Sequence, residues 1–315
     1  MEWKVKMKDK PLAFTYGVVF LVMITWGLNV VLLKVLVEAF PPVTMTTFRI
    51  MLAGVTALTI VLFGRSIRKL TKKEWYLTFL GALFGVVGHH YFLATGLTLT
   101  NATNAVLILA LLPLTTSILA VIFLKDRLTR WRLFGIGVAF IGVLFIQGGG
   151  TGTWSIDLGE FYVFLAMVFQ AISFIYIKKA TSTLDSKQMT SLMLLLGSVG
   201  LLLISLVVEP SGVTNLFQAS LVLYVLFFIS SILATAVGHF LFNAAIQHIG
   251  AGQTAIFNNF VPFFGLIFSA LFLKEQVYWY QTFGFMFIVI GVLFGTGYIE
   301  RAFLKHKQLL HNKSM

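Results

Sequence analysis

Ten apolar segments, each about long enough to cross a bilayer as a helix, dominate this 315-residue sequence. Of its residues 58% are hydrophobic and only 11% are charged, which leaves too little polar surface for a water-soluble fold and too few polar residues for a disordered chain. We therefore predict an all-α integral membrane protein with ten transmembrane helices. The spans run roughly over 12–37, 43–63, 75–97, 101–123, 132–148, 159–178, 189–208, 221–246, 251–273 and 278–298.

The positive charges alternate as loops on opposite faces of a membrane should. All but three of the 23 Lys and Arg residues fall in tails or in connecting segments that would lie on the cytoplasmic face. The exceptions are Lys34 and Arg49, within or at the rim of spans, and Lys274 on the other face. The net charge of +12 is thus a topology signal and does not indicate a nucleic-acid partner. We expect a multi-pass protein of the plasma (inner) membrane with both termini cytoplasmic.

The sequence contains an internal repeat. A shift of 149 residues superposes 101–146 on 250–295 without a gap, with 13 identities in 46 positions, and pairs Lys125 with Lys274. Each half holds five spans, and because five is odd, the second half enters the membrane from the opposite face. Inverted repeats are the usual architecture of secondary transporters, whose site lies between the halves. We predict a first repeat at 12–148, a second at 159–298, and basic cytoplasmic tails at 1–11 and 299–315.

Several short motifs carry a resemblance to a known family. They are Trp26-Gly27-Leu28-Asn29, the Pro41-Pro42 turn before Phe48-Arg49, Asn101-Ala102-Thr103-Asn104-Ala105, and Phe-Leu-Lys-Asp/Glu, which occurs twice. In these motifs, and over nearly its whole length, the chain resembles the EamA-type proteins of the drug/metabolite transporter superfamily. The resemblance implies a ten-helix permease of two EamA repeats that moves small metabolites, often exporting amino acids. Many relatives carry a tryptophan in the sixth span, where this chain has Gln170-Ala171-Ile172-Ser173.

The sequence lacks the motifs of enzymes and of ATP-driven pumps. It contains no Gly-x-x-x-x-Gly-Lys-Ser/Thr, no His-Glu-x-x-His and no Gly-x-Ser-x-Gly. All 11 acidic residues fall in loops or at span ends, so no carboxylate near a span centre is available for catalysis or proton coupling. Without cysteine or a third ligand to join the histidines, no metal site is expected. We predict neither enzymatic activity nor a cofactor.

Polar side chains inside the apolar spans are the candidates for a substrate site. Arg49, about 9 Å along the second span, would bind an anionic group such as a carboxylate, or else would reach the outer headgroups. His90 and His239 are repeat partners that would either carry a proton or act as hydrogen-bonded struts. We predict a central cavity lined by Trp26, Asn29, Arg49, His90, His239, Asn243 and Asn258.

Two further features bear on this cavity. Trp26 and Asn29 are three residues apart on one helix face, so they would form a stacking wall with an orienting amide, or simply pack helices. Pro113 and Pro262 are repeat partners that predict kinks, and the ring of Pro262 should free the carbonyl of Asn258. The kinks would serve as gating bends or be static.

These features together predict a secondary transporter that works without ATP. It would move a small polar or amphipathic metabolite across the bilayer by alternating access, exporting amino acids or related compounds by resemblance, as a monomer or homodimer. Two alternatives stay open at this point. An uncoupled channel or facilitator would need a continuous polar lining, and a membrane-embedded enzyme acting on lipid-linked substrates would need the buried acids that are missing.

Overall fold

The structure is a computed structural model in which residues 12–64, 67–124, 129–148, 157–217, 219–249, 257–295 and 297–300 are described. The N-terminal tail, Lys125, the glycine-rich linker at 149–156 and the side chain of Asn243 lie outside the described residues. Within the described ranges the regular structure is entirely helical.

Fourteen α-helices and two π-helical segments make up the described chain. In chain order they are α1 (Leu12–Ala39), α2 (Pro42–Phe63), α3 (Lys72–Ala82), π1 (Leu83–Gly88), α4 (His89–Leu99), α5 (Ala102–Leu109), α6 (Leu112–Leu124), α7 (Arg130–Gly148), α8 (Leu158–Ala180), α9 (Ser186–Val208), α10 (Gly212–Asn215), α11 (Leu221–Phe228), π2 (Ile229–Val237), α12 (Gly238–Ile249), α13 (Phe260–Phe272) and α14 (Trp279–Gly295).

These elements form ten long rods in the described chain. The third rod is α3, π1 and α4 without interruption, and the eighth is α11, π2 and α12. Seven of these rods are long and apolar enough to cross a membrane, and α13 and α14 are shorter apolar helices. The remaining rod is α7, which has 19 residues. Many large apolar side chains on the rods are exposed, as a lipid-facing surface requires. The prediction of an all-helical membrane protein is confirmed.

Helix ends follow local sequence signals. Thr71 caps α3, because its hydroxyl accepts from the Glu74 N–H while the Glu74 carboxylate accepts from the Thr71 N–H, a capping box. Asn101 caps α5 through its side-chain oxygen and the Asn104 N–H. Asp185 does the same for α9. Each of these caps fixes the residue at which its helix begins.

The crossing of α7 and α14 displays the symmetry of the two repeats. Gly135 lies against the backbone of Gly291, and Gly142 lies against the backbone of Gly284. A shift of 149 residues turns Gly135 into Gly284 and Gly142 into Gly291, so each of these contacts is the image of the other. The two helices cross antiparallel, and a two-fold axis that relates antiparallel helices is perpendicular to them. For helices that cross a bilayer this axis lies in the membrane plane, which makes the repeats inverted.

This crossing predicts a large difference between two neighbouring glycines. A Cβ atom on Gly135 would lie 2.2 Å from the Gly295 nitrogen, whereas a Cβ atom on Gly137 would meet nothing within 4 Å. We expect Gly135→Val to lower the stability by at least about 3 kcal/mol, because backbone cannot move aside as a side chain can. Gly137→Val should keep the wild-type unfolding temperature in detergent. Equal unfolding temperatures for the two variants would contradict this packing.

Candidate functional site

The two π-helical segments occupy equivalent places in the two repeats. π1 ends at Gly88 and π2 ends at Val237, and these residues are 149 apart, the repeat shift. His90 and His239 each follow two residues later. A π-helical segment disturbs the regular backbone hydrogen bonding and is frequent at functional sites. The symmetric positions of π1 and π2 direct attention to the region between them.

Arg49 lies in this region, on α2, and only 1% of its surface is exposed. Its NH1 group donates to Oγ1 of Thr235 in π2 at 2.8 Å, and that hydroxyl in turn donates to the Ser230 carbonyl. Its NH2 group lies 3.4 Å from Nδ1 of His90. Because a guanidinium only donates, Nδ1 of His90 is the acceptor. Arg49 therefore links α2 to α4 of the first repeat and to π2 of the second repeat. Its side chain is buried and does not reach the outer headgroups.

The charge of Arg49 is not matched by an acid. None of the described carboxylates forms an ion pair with it, and the described ion pairs are those of Lys34 with Glu38 and of Arg68 with Glu74. The Nε atom of Arg49 is buried without a hydrogen-bond partner, as is the nearby hydroxyl of Thr46. A buried cation is costly unless it is paired. The site therefore has buried donors that no described residue uses and that are available to an anionic group.

Trp26, Asn29 and His239 surround π2 on the side of α1 and α12. The Trp26 indole donates to the Ala234 carbonyl at 2.8 Å, and the Ser230 hydroxyl donates to the Asn29 side-chain oxygen at 2.6 Å. His239 bonds to the Thr235 carbonyl through Nδ1, and its ring centroid lies 5.1 Å from that of Trp26. These contacts support the irregular backbone of π2, which carries the hydroxyl that holds Arg49.

Among the described residues, the space next to Arg49 is a narrow gap. The gap beside Arg49 is too narrow to admit even one water molecule. Arg49 and His90 line it, together with Leu33, Thr46, Leu93, Ala94 and Leu97. Trp26, Asn29 and His239 are instead engaged with π2. In this conformation the polar groups of these three side chains bond to backbone and hydroxyl groups, and a cavity shared by all the predicted residues stays a prediction.

The remaining predicted residues lie elsewhere or are not described. The side chain of Asn243 is outside the described residues. Asn258 lies just before α13, and its side-chain oxygen is buried without a partner. The prediction that Pro262 frees the Asn258 carbonyl is wrong, because this oxygen accepts from the Val261 N–H at 3.1 Å in a tighter turn. Pro113 follows the break between α5 and α6 at residues 110 and 111.

Two carboxylates hold the repeats together at one end of the molecule. Glu209, which follows α9, accepts from the N–H groups of Val43 and Thr44 at 3.0 and 2.7 Å and from the Thr44 hydroxyl. Glu275, which precedes α14, accepts from the N–H groups of Ala102 and Thr103 at 2.8 and 2.7 Å and from the Thr103 hydroxyl. We call these two interactions the carboxylate caps. Each joins a second-repeat loop to a first-repeat helix, and the two helices begin at the same end.

Lys34 closes the same end. Its ammonium group donates to the carbonyls of Leu97 and Thr100 at 2.8 and 2.9 Å, and forms an ion pair with Glu38 at 2.9 Å. Arg49 lies seven residues into α2, about 10 Å along the helix from its capped end. The carboxylate caps and Lys34 therefore hold the helices together between this end and the Arg49 gap.

A separate polar cluster joins the two repeats at the opposite end. Arg68 pairs with Glu74 and donates to the Thr183 carbonyl, and the Thr183 hydroxyl donates to Glu74. Gln188 exchanges two hydrogen bonds with the Arg68 backbone. The hydrogen bond to Glu74 raises the pKa of Arg68 above its usual value. The cluster joins the α2–α3 loop of the first repeat to the α8–α9 region of the second.

Three polar residues at the site were not among the predicted ones. Thr235 and Ser230 hold Arg49 and Asn29, and Thr46 lines the gap. Thr235 lies one turn before His239 and Thr46 one turn before Arg49, so helical spacing from the charged and aromatic candidates was a usable signal. Within the described residues no three potential metal ligands cluster together.

Comparison with known proteins shows to which family a chain with this architecture belongs. The model of the EamA-like transporter family matches residues 13–148 and 157–296, once in each repeat. The chain belongs to the EamA-like transporter family. This EamA-like protein is therefore a multi-pass membrane transporter with two EamA domains and not an enzyme, as predicted, and its substrate is a small molecule.

Relatives of this EamA-like transporter cover nearly its whole length. The uncharacterized transporter YyaM of Bacillus subtilis (strain 168) is 30% identical over 278 residues, which are 85% of this chain and 89% of that protein. The uncharacterized transporter YvbV of the same organism is 24% identical over 91% of this chain and 92% of its own. A protein of known crystal structure superposes with a TM-score of 0.67 at 14% identity, covering 92% of this chain and 99% of that one. The last similarity concerns the fold alone.

Proposed function

We propose that this EamA-like transporter is a secondary carrier for a small polar or amphipathic metabolite with an anionic group, such as an amino acid, and that it works by alternating access. The observation that carries this proposal is the buried, unpaired guanidinium of Arg49. A substrate carboxylate would supply the missing anion and engage the guanidinium in bidentate fashion. The weak contact at 3.4 Å to His90 is the bond most easily exchanged for it.

The same observation supports coupling between binding and movement. An unpaired cation enclosed in an apolar interior disfavours the empty closed state, whereas a bound carboxylate neutralises it. A ligand shifts an equilibrium by its differential affinity for the two states. The loaded carrier should therefore close and reorient more readily than the empty one, which is the behaviour of a carrier and not of a channel.

The orientation, the direction and the assembly state belong to the same proposal. We place the protein in the plasma (inner) membrane, with both termini cytoplasmic, because its Lys and Arg residues concentrate in alternate loops. The end closed by the carboxylate caps is then the outer end. We assign the repeats to 12–148 and 159–298, and we propose export by a monomer or homodimer.

Counterflow in proteoliposomes tests the proposal. Vesicles loaded with an unlabelled amino-acid mixture should accumulate the same labelled amino acids transiently above equilibrium, because a carrier exchanges substrates across the membrane. Metabolite profiles of cells with and without the protein would select further compounds for the assay. Flux without any overshoot would indicate a channel. An absence of flux for every compound selected by the profiles would contradict the proposal.

A further inference from the structure

A groove lies between the beginnings of α3 and α9, beside the Arg68 cluster and apart from the residues that line the Arg49 gap. It has a volume of about 350 Å³, and its lining includes Arg68, Lys69, Trp75, Gln188 and Leu192. This volume is at the lower limit for small-molecule sites and suits a headgroup-sized ligand. Because α3 and α9 each begin a candidate membrane span, the groove lies at the depth of the lipid headgroups.

The groove carries positive charge that no described acid neutralises. Lys69 lines it, and Lys72, three residues before Trp75, lies on the same helix face as that tryptophan. The ammonium groups of Lys69, Lys72 and Lys73 form no ion pair or hydrogen bond with the described residues, whereas Arg68 is neutralised by Glu74. Lys72 and Lys73 also occupy the first turn of α3, where the helix dipole disfavours cations. These two positive charges therefore do not stabilise α3, and a bound anion would neutralise them.

The walls of the groove are apolar and continue into the membrane. Trp75 is 46% exposed, and its indole N–H has no partner among the described residues. Phe79 and Leu83 follow on the same face of the third rod, and both are exposed. On α9, Leu192 lines the groove and Leu196 and Val199 are exposed further along the helix. A positive pocket thus opens onto two apolar stripes.

We propose that this groove binds an anionic phospholipid from the surrounding membrane. The phosphate would contact the ammonium groups of Lys69 and Lys72 and the indole N–H of Trp75, and the acyl chains would follow the two apolar stripes. Basic pockets between transmembrane helices recognise anionic headgroups in this way. A hydrated inorganic anion would gain nothing from the exposed aromatic and aliphatic walls, so the lipid fits better than free phosphate.

Native mass spectrometry of the purified transporter with phosphatidylglycerol or phosphatidylcholine tests the proposal. We expect phosphatidylglycerol adducts that survive activation, few phosphatidylcholine adducts, and about 30-fold weaker phosphatidylglycerol binding by K69Q/K72Q. The matched control is K178Q/K179Q, which removes the same charge at the exposed end of α8 and should bind like the wild type. Wild-type affinity in K69Q/K72Q, an equal loss in the control, or displacement of the lipid by millimolar inorganic phosphate would overturn the proposal.

Trp75 provides a second test that leaves the charges intact. Phosphatidylglycerol with brominated acyl chains should quench part of the tryptophan fluorescence, and this part should disappear in Trp75→Phe. This quenching measurement is independent of any effect that the lysine substitutions have on folding. Identical quenching of the wild type and of Trp75→Phe by brominated phosphatidylglycerol would place the lipid elsewhere and contradict the proposal.

Discussion

Replacing Arg49 by methionine is expected to lower counterflow by about a hundredfold or more without lowering the unfolding temperature. The loss of transport follows from the loss of the charged partner of the substrate carboxylate, because a buried charged interaction that loses one partner costs about 3–5 kcal/mol. The unchanged stability follows from the structure of the empty site. Thr235 keeps its bond to Ser230, and the buried unpaired charge disappears.

The matched control for this substitution is Arg132→Met. Arg132 also has a buried Nε atom without a partner, but it lies at the beginning of α7, outside the Arg49 gap. We expect this variant to retain counterflow. The opposite result would be a large fall in the unfolding temperature of Arg49→Met together with a loss of counterflow no greater than the loss of folded protein. That result would assign Arg49 a structural role instead.

The double substitution E209Q/E275Q is expected to open the capped end of the transporter. Each carboxylate accepts two backbone N–H bonds and one hydroxyl bond, and hydrogen bonds to a charged group contribute about 1.5–3 kcal/mol each. Loss of even one such bond at each cap shifts the closed–open equilibrium by roughly a hundredfold. Transport should fall, because the carrier then spends most of its time open at one end.

Hydrogen–deuterium exchange measures this effect directly. The peptides at 42–47 and 101–106 contain the capped N–H groups and should exchange much faster in the double variant. The beginning of α9 is a control within the same molecule, because Asp185 caps it and is unchanged. Glu38→Gln, which alters an exposed ion pair at the same end, should leave exchange unaffected. Unchanged exchange at 42–47 and 101–106 would show that the caps do not hold this end closed.

The sequence was sufficient for the fold because the determinants of the fold are local or periodic. Span length, the alternation of charged loops and the repeat at a shift of 149 residues predicted an all-helical membrane protein with duplicated repeats. The ion pair of Lys34 with Glu38 was predictable because residues four apart share a helix face. The glycines that bring α7 and α14 together are repeat partners, Gly135 with Gly284 and Gly142 with Gly291.

The site was less predictable because it depends on distant pairings. Nothing near Glu209 or Glu275 in the sequence indicates that these residues cap helices about 165 to 173 positions away. The π-helical turns were equally hidden, since apolar composition does not distinguish them from α-helix. We therefore predicted a single cavity for these residues. In this conformation the polar groups of Trp26 and His239 bond instead to backbone carbonyls of π2.

The most direct test of alternating access uses a single cysteine at the Arg49 gap. The chain has no cysteine, and Thr46 lines the gap with a buried, unpartnered hydroxyl. Ser173→Cys is the control, because Ser173 is fully buried and bonded to the Gly81 carbonyl between α8 and α3. It should stay unlabelled throughout.

An impermeant maleimide applied to either side of oriented vesicles should label Thr46→Cys from both sides, at different rates. When E209Q/E275Q is added, we expect faster labelling from the capped side and slower labelling from the other side. Labelling that rises from both sides together would contradict alternating access and indicate a channel, and no labelling from either side would remove the Arg49 gap from the transport path.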